Sequence, residues 1–255
     1  MTETITSTHN SRIRAVRKLR ERRHREQARL FMAEGEDMLA AALAVGTPPA
    51  TVFAVPDPPP ALADLLGRLP PGVERVTASP EALAAAGSLG SGSRVIGLWS
   101  LPDLEQVEPA APGGPALYLH DVADPGNIGT VLRAARAFGA AVVLSSRSAD
   151  PFGPKAVRAS MGAVFGQPVA RADFARAREG SCAIALVPGG GRPLRELSLE
   201  GPVLFTLGSE RTGLPDEVMA ACDEVAHVPL ESDADSLNVA MAATLCLYEY
   251  RAHHG

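Results

Sequence analysis

The chain has 255 residues, 46% of them hydrophobic and 21% charged, the composition of a globular protein of one large or two modest domains. Its longest uncharged run, 38–56, is broken by Gly46, Pro48 and Pro49, which excludes a membrane-spanning helix in that stretch. Cys182, Cys222 and Cys246 are scattered and odd in number, which points away from a disulfide framework or a zinc site, and the polar N-terminus lacks the apolar core of a secretory signal, so a cytoplasmic location is expected.

The net charge of −5 is uneven: residues 1–30 hold nine Arg or Lys against three Glu, an excess of +6 that leaves −11 on the remainder. From Ser11 onward, Ile13, Val16 and Leu19 fall at helical spacing with arginines on the other faces, predicting a helix. Two readings of that basic arm stay open on charge alone, a polyanionic partner or a solvated helix. Phe31 to Gly35 then reads as a short strand and turn. Alternating segments follow: helix 37–45, strand 51–55, helix 61–69, strand 73–77, helix 80–86 and strand 94–100. This predicts a small α/β domain over 1–100.

Residues 101–115 carry four prolines, two glycines and no periodicity, and read as a linker. A second domain, 116–255, opens with strand 116–120 and continues with helix 128–138, strand 141–144, helices 155–161 and 173–178, strands 182–187 and 203–207, helix 215–222 and strand 225–230. Strands separated by helices predict a mostly parallel sheet covered on both faces. The last helix begins near Val239. Ser236 stands where its N-cap belongs, and Thr244 is the one polar interruption before Tyr248, so this helix is expected to be buried on two sides.

Ligands in open α/β sheets bind beyond the carboxyl ends of strands, and three such loops carry candidate chemistry. The first is Asp124-Pro125-Gly126-Asn127, followed by Arg133 on the helix face away from Ile128, Val131, Leu132 and Ala135. The second is Gly208-Ser209-Glu210-Arg211-Thr212-Gly213-Leu214, whose glycines permit close backbone approach but which lacks the Lys-Ser/Thr of a phosphate loop. The third is Ser236-Leu237-Asn238-Val239. The Gly189-Gly190-Gly191 run reads as a plain turn. Taken singly, Arg133 reads as an exposed arginine and Ser236 as a helix cap, and a turn explains the second loop equally well.

In that order the three motifs resemble the SpoU (TrmH-like) branch of the SPOUT RNA methyltransferases. The segment from Asp150-Pro151-Phe152 through Ala159-Ser160-Met161-Gly162-Ala163 looks like a further stretch of the members directed at ribosomal RNA. The N-terminal part, with Asn10, Arg25 and Phe31 to Gly35, is similar to the ribosomal-protein-like substrate-binding domain of those members. The resemblance implies transfer of methyl from S-adenosyl-L-methionine to a ribose 2′-hydroxyl, in ribosomal RNA first and transfer RNA second, without a metal. It also implies a deep trefoil knot at the C-terminus and a homodimer.

By the same resemblance, Asn127, Arg133, Glu210, Ser236 and Asn238 would form the catalytic set. Leu207, Gly208, Val228, Pro229, Leu230 and Leu237 would hold the cofactor, and Asn10, Arg14, Arg17, Lys18 and Arg25 would meet RNA. The sequence departs from common family forms at Ala240, where serine is frequent, and at Asp233 and Asp235, where glycine is usual. A non-catalytic RNA-binding relative would be expected to lack Arg133, Glu210 or Asn238, and all are present. A dinucleotide oxidoreductase would require a Gly-x-Gly-x-x-Gly turn after a strand, which is absent.

Overall fold

A computed structural model describes residues 4–89, 92–105, 113–231 and 236–254. The centre of the expected linker, 106–112, and the departures at Asp233 and Asp235 lie outside these residues. The chain divides into two compact units, Met1–Pro102 with Asp150–Gly166, and Asp103–Ala149 with Gln167–Gly255. Residues 150–166, which the sequence reading placed within the second domain, therefore pack with the N-terminal unit. No helix among the described residues is long and apolar enough to cross a membrane.

The first unit runs α1 (Ser11–Lys18), α2 (Arg22–Ala28), β1 (Leu30–Glu34), α3 (Glu36–Ala44), β2 (Thr51–Ala54), α4 (Pro60–Gly67), β3 (Glu74–Thr77), α5 (Pro80–Ala86) and β4 (Val95–Ser100). Its four strands order β1-β4-β2-β3, antiparallel except for the parallel β2–β3 pair. Asn10 starts α1 by accepting from the Arg12 amide (2.9 Å), and Ile13, Val16 and Leu19 then drop into a core with Met32, Phe53, Val76, Leu83 and Ile96.

An aromatic cluster explains why 150–166 belongs to this unit. Phe31 and Trp99 are register partners on β1 and β4, and Phe152 and Phe165 lie against them with ring centroids 4.8 Å from Phe31 and 4.6 Å from Trp99 respectively. Gly97 makes room for the indole, since a β-carbon there would come within 2.3 Å of the Trp99 ring. The same segment contributes α7 (Pro154–Ala159) and supplies the partly exposed Asp150 to an ion pair with the buried Arg25.

The second unit runs β5 (Pro115–Leu119), α6 (Pro125–Phe138), β6 (Ala141–Leu144), β7 (Val169–Arg171), α8 (Phe174–Ala177), β8 (Cys182–Leu186), β9 (Arg192–Pro193), β10 (Val203–Leu207), α9 (Asp216–Ala220), β11 (Glu224–His227) and α10 (Val239–His253). Its seven strands order β7-β6-β5-β10-β8-β11-β9 and every neighbouring pair is parallel. Tyr118, Val143, Ala170 and Leu204 meet α8 on one face, while α6 and α10 pack on each other and on the sheet through Leu132, Ala135, Ala243 and Leu247, all fully buried. This is the parallel, doubly covered sheet that the alternating pattern predicts.

Several details differ. α2 and β7 were not expected: α2 has no apolar stripe, its one buried residue being Arg25, and β7 is only three residues long. The N-cap of α10 is Asn238, whose Oδ1 accepts from the Ala240 amide (2.9 Å), and not Ser236. The Gly189–Gly191 turn is more than a turn. A β-carbon at Gly191 would sit 2.1 Å from the Val225 carbonyl oxygen, so glycine is what lets the chain run alongside β11.

Candidate active site

Between β5 and β10 the chain order reverses, since β6 and β7 extend to one side and β8 and β11 to the other. A cavity of about 520 Å³ opens at the carboxyl ends of β8, β10 and β11. Its walls come from Leu186 to Pro188, from the Leu207 to Gly213 turn, from Val228 and Leu230, and from the entry to α10. Of the expected cofactor contacts, Leu207, Gly208, Val228, Leu230 and Leu237 line it, and the exposed Pro229 lies between two that do. The wall after β8 was missed, because Leu186-Val187-Pro188 carries no motif.

The β10 turn is tightly hydrogen-bonded. Gly213 N–H donates to the Ser209 carbonyl (2.9 Å), the Ser209 and Thr212 hydroxyls pair at 2.8 Å, and a β-carbon at Gly208 would lie 2.1 Å from the Gly213 carbonyl carbon. Glycine at 208 is therefore a packing requirement. Gly213 adopts φ +65, the left-handed region.

Asp124 caps α6 by accepting from the Gly126 amide (2.6 Å), with Pro125 in the first turn. That cap points Asn127 toward the other two loops. Asn127 Nδ2 donates to Glu210 Oε1, and Asn127 Oδ1 accepts from Asn238 Nδ2 at 3.0 Å. Asn127, Glu210 and Asn238, which the sequence could only align by resemblance, thus form one hydrogen-bonded chain across the three loops. Ser236 and Asn238 line the cavity directly. Arg133, further along α6, is exposed and forms no hydrogen bond or ion pair with a described residue.

A second polar cluster stands at the end of β5. Asp121 has φ +55, accepts from the Ser145 hydroxyl (2.8 Å) and pairs with Arg147. Partial burial would raise its carboxyl, but the bonds from Ser145 and Arg147 and the charges of His120 and Arg147 outweigh it and hold it below the ordinary carboxylate range. Among the described residues no His, Cys, Asp and Glu side chains gather as a metal site.

In the N-terminal unit Arg14, Arg17 and Lys18 are exposed on α1, and Asn10 caps that helix. Arg25 must be corrected as an RNA contact. It is 3% exposed; its Nε and Nη2 donate to Asp150, and its Nη1 donates to the carbonyls of Leu19 (2.7 Å) and Arg20 (2.8 Å). Its donors are spent inside the fold.

An all-parallel sheet with a cavity at its strand ends, where Glu210 and Asn238 line the wall and Asn127 joins them, is the ligand-binding arrangement of the α/β class. The chain belongs to the SpoU rRNA Methylase family, whose model matches residues 115–248, and residues 10–89 match the MRM3-like substrate binding domain. A 23S rRNA (guanosine(2553)-2′-O)-methyltransferase of Bacillus subtilis is 29% identical, covering 97% of this chain and 98% of its own. The AdoMet-bound rRNA methyltransferase of Sinorhizobium meliloti superposes with a TM-score of 0.87 at 30% identity, covering 99% of this chain and 98% of that one. The SpoU methyltransferase AviRb of Streptomyces viridochromogenes, in complex with AdoMet, gives 0.86 at 25% identity over 96% of this chain and 98% of that one.

Proposed function

We propose that this protein transfers methyl from S-adenosyl-L-methionine to a ribose 2′-hydroxyl of ribosomal RNA. The observation that carries the reading is the Asn238–Asn127–Glu210 chain bordering the strand-end cavity. The cavity suits the cofactor in size and lining: about 520 Å³ lies within the roughly 300–1,000 Å³ of small-molecule sites. Leu207, Val228, Leu230 and Leu237 offer apolar surface, and the tight Gly208 turn offers backbone polar groups. When bound, S-adenosyl-L-methionine supplies a methyl already activated on a sulfonium, so the protein needs no metal for the transfer.

What remains for the chain is in-line positioning and easing loss of the 2′-hydroxyl proton to solvent or a neighbouring phosphate as the methyl is transferred and the cofactor leaves as its neutral thioether. A guanidinium stays protonated in proteins, so we assign Arg133 to orienting a backbone phosphate and stabilising the negative charge that develops on the 2′-oxygen. Asn127, held at both ends of its amide, would fix the start of the helix that carries Arg133. Glu210 would anchor that amide, and Ser236 would shape the nucleotide side of the site.

Arg14, Arg17 and Lys18 on the N-terminal unit are assigned to RNA phosphates, which position a substrate without reading sequence. Met241, Leu245 and Tyr248 form an exposed apolar stripe at helical spacing on α10, which we assign to a homodimer. The threaded C-terminal knot and a cytoplasmic place of action belong to the same reading.

The test is methyl transfer from labelled S-adenosyl-L-methionine to unmodified 23S ribosomal RNA, with transfer RNA as the comparison and ribose methylation mapped by nucleotide. One modified ribose in 23S RNA is expected, and no incorporation into either RNA rejects the proposal. Arg133→Lys, assayed in single turnover across pH, is expected to be slow at every pH; full activity would remove the case for a guanidinium.

A further inference from the structure

In the N-terminal unit Met161 directly follows the C-cap of α7, a position where helices commonly end in a left-handed residue that is usually glycine. It is 56% exposed, and among the described residues of that unit it is the one large hydrophobic side chain that is. It also adopts φ +48, a left-handed conformation that is unusual for an unbranched residue with a β-carbon and ordinary for glycine. Glycine at 161 would relieve the backbone, yet methionine stands there.

The surroundings hold that conformation from both sides. Ser160 is fully buried, donating to the Val157 carbonyl (2.7 Å) and accepting from the Val164 amide (3.4 Å). Gly162, at φ +87, lies so close to α3 that an added β-carbon would come 2.3 Å from the Ala41 β-carbon. The Met161 amide donates to the Arg158 carbonyl at 3.1 Å. With neighbours pinned inward, the Met161 side chain is forced outward. Strain that the surrounding structure over-determines is a mark of a functional position.

Arg158 is exposed in the turn before Met161, and Lys155 is exposed on the same face of α7. A lone thioether flanked by cations is too small an apolar surface for a protein interface. It fits a nucleic acid, in which one apolar side chain can wedge against bases while a neighbouring cation, here Arg158, meets a phosphate.

We propose that Met161 wedges against an unpaired base of the RNA substrate, with Arg158 on an adjoining phosphate. The inference rests on RNA being the substrate and adds a second contact, outside the basic arm, that selects unpaired nucleotides.

The experiment measures binding of the full chain to two RNAs, an unmodified 23S transcript and a perfectly paired RNA duplex, over a range of salt. Met161→Gly is expected to melt no lower than the parent yet to bind the transcript about tenfold more weakly, the scale of one partly buried methionine side chain, with duplex binding unchanged. Met161→Leu is expected to retain binding. Arg158→Gln is expected to reduce the log–log salt slope by about one. Parental affinity of Met161→Gly for the transcript, or an equal loss on the duplex, overturns the base contact. Cofactor binding and methyl transfer by the parent are read separately. A parent that binds RNA through Met161 but transfers no methyl would reject the proposed reaction and leave this contact standing.

Discussion

Asn238 donates through Nδ2 to Oδ1 of Asn127 at 3.0 Å, across 111 residues of chain. Oδ1 of the same Asn238 accepts from the Ala240 amide and starts α10, and the far end of the Asn127 amide donates to Glu210. Two planar amides in series therefore link the start of α10 to the loop that carries Glu210.

Asn127 is the place to test this. It makes no cap of its own, so Asn127→Ala should fold and bind S-adenosyl-L-methionine as the parent does while losing about 100-fold in single-turnover rate, the scale of a small misplacement at a reacting centre. Calorimetry of cofactor binding beside the rate measurement checks it. Parental turnover by the variant would count against the assignment of the site.

Arg25 and Asp150 should matter for stability and not for RNA. Arg25 is buried and Asp150 partly exposed, so Arg25→Met is expected to destabilise the N-terminal unit by about 3 kcal/mol, the low end for a buried pair that loses one partner. Arg17→Gln, on the exposed face of α1, should change stability by less than about 0.5 kcal/mol while weakening RNA binding. Denaturant melts and binding isotherms for the two variants separate the roles; weaker RNA binding by folded Arg25→Met would reverse them.

Asp121 gives the second unit an acid-sensitive contribution. Its carboxyl is held below the ordinary range in the folded state, so the stability it confers is complete above the unfolded value of about 3.9 and is lost as pH falls through the lower folded value. Arg147 is 78% exposed in its side chain, so screening weakens its share and the Ser145 bond carries more. Asp121→Asn should be less stable than the parent near neutrality and converge with it in acid. A gap that stays constant down the acid limb would exclude the linkage.

The α10 stripe predicts an oligomer. Met241 and Tyr248 are 58% and 60% exposed, while Ala243, Cys246 and Leu247 on the other side are fully buried. Tyr248→Glu should yield a monomer whose thermal midpoint no longer depends on protein concentration, as read by sedimentation. A parent that sediments as a monomer would remove the dimer.

Much of the fold could be read ahead of the structure because period and punctuation agree in the strongest elements. α5, β6 and β10 have the bounds their patterns predict, each marked by a Ser-Pro start, an apolar run or a glycine-bounded strand. What escaped was set by distant partners. The basic α2 looks solvated in sequence, and Asp150, 125 residues away, together with the Leu19 and Arg20 carbonyls explains why Arg25 is buried. Ser236 and Asn238 are both good cap residues two positions apart, and Asn238 takes the role, its Oδ1 on the Ala240 amide and its Nδ2 on Asn127. The meeting of the three loops was not in any periodicity; it came from the order of motifs alone.

The N-terminal unit is discontinuous, returning for 150–166 after the second unit has begun. No single cut of the backbone therefore liberates either half intact. A fragment starting at residue 103 would carry Phe152, Val157 and Phe165 stripped of Phe31 and Trp99, leaving a greasy tongue in water and a tendency to precipitate. During synthesis, too, the first hundred residues must wait for this tongue before their aromatic face is closed, so maturation of the leading unit is tied to translation of the trailing one.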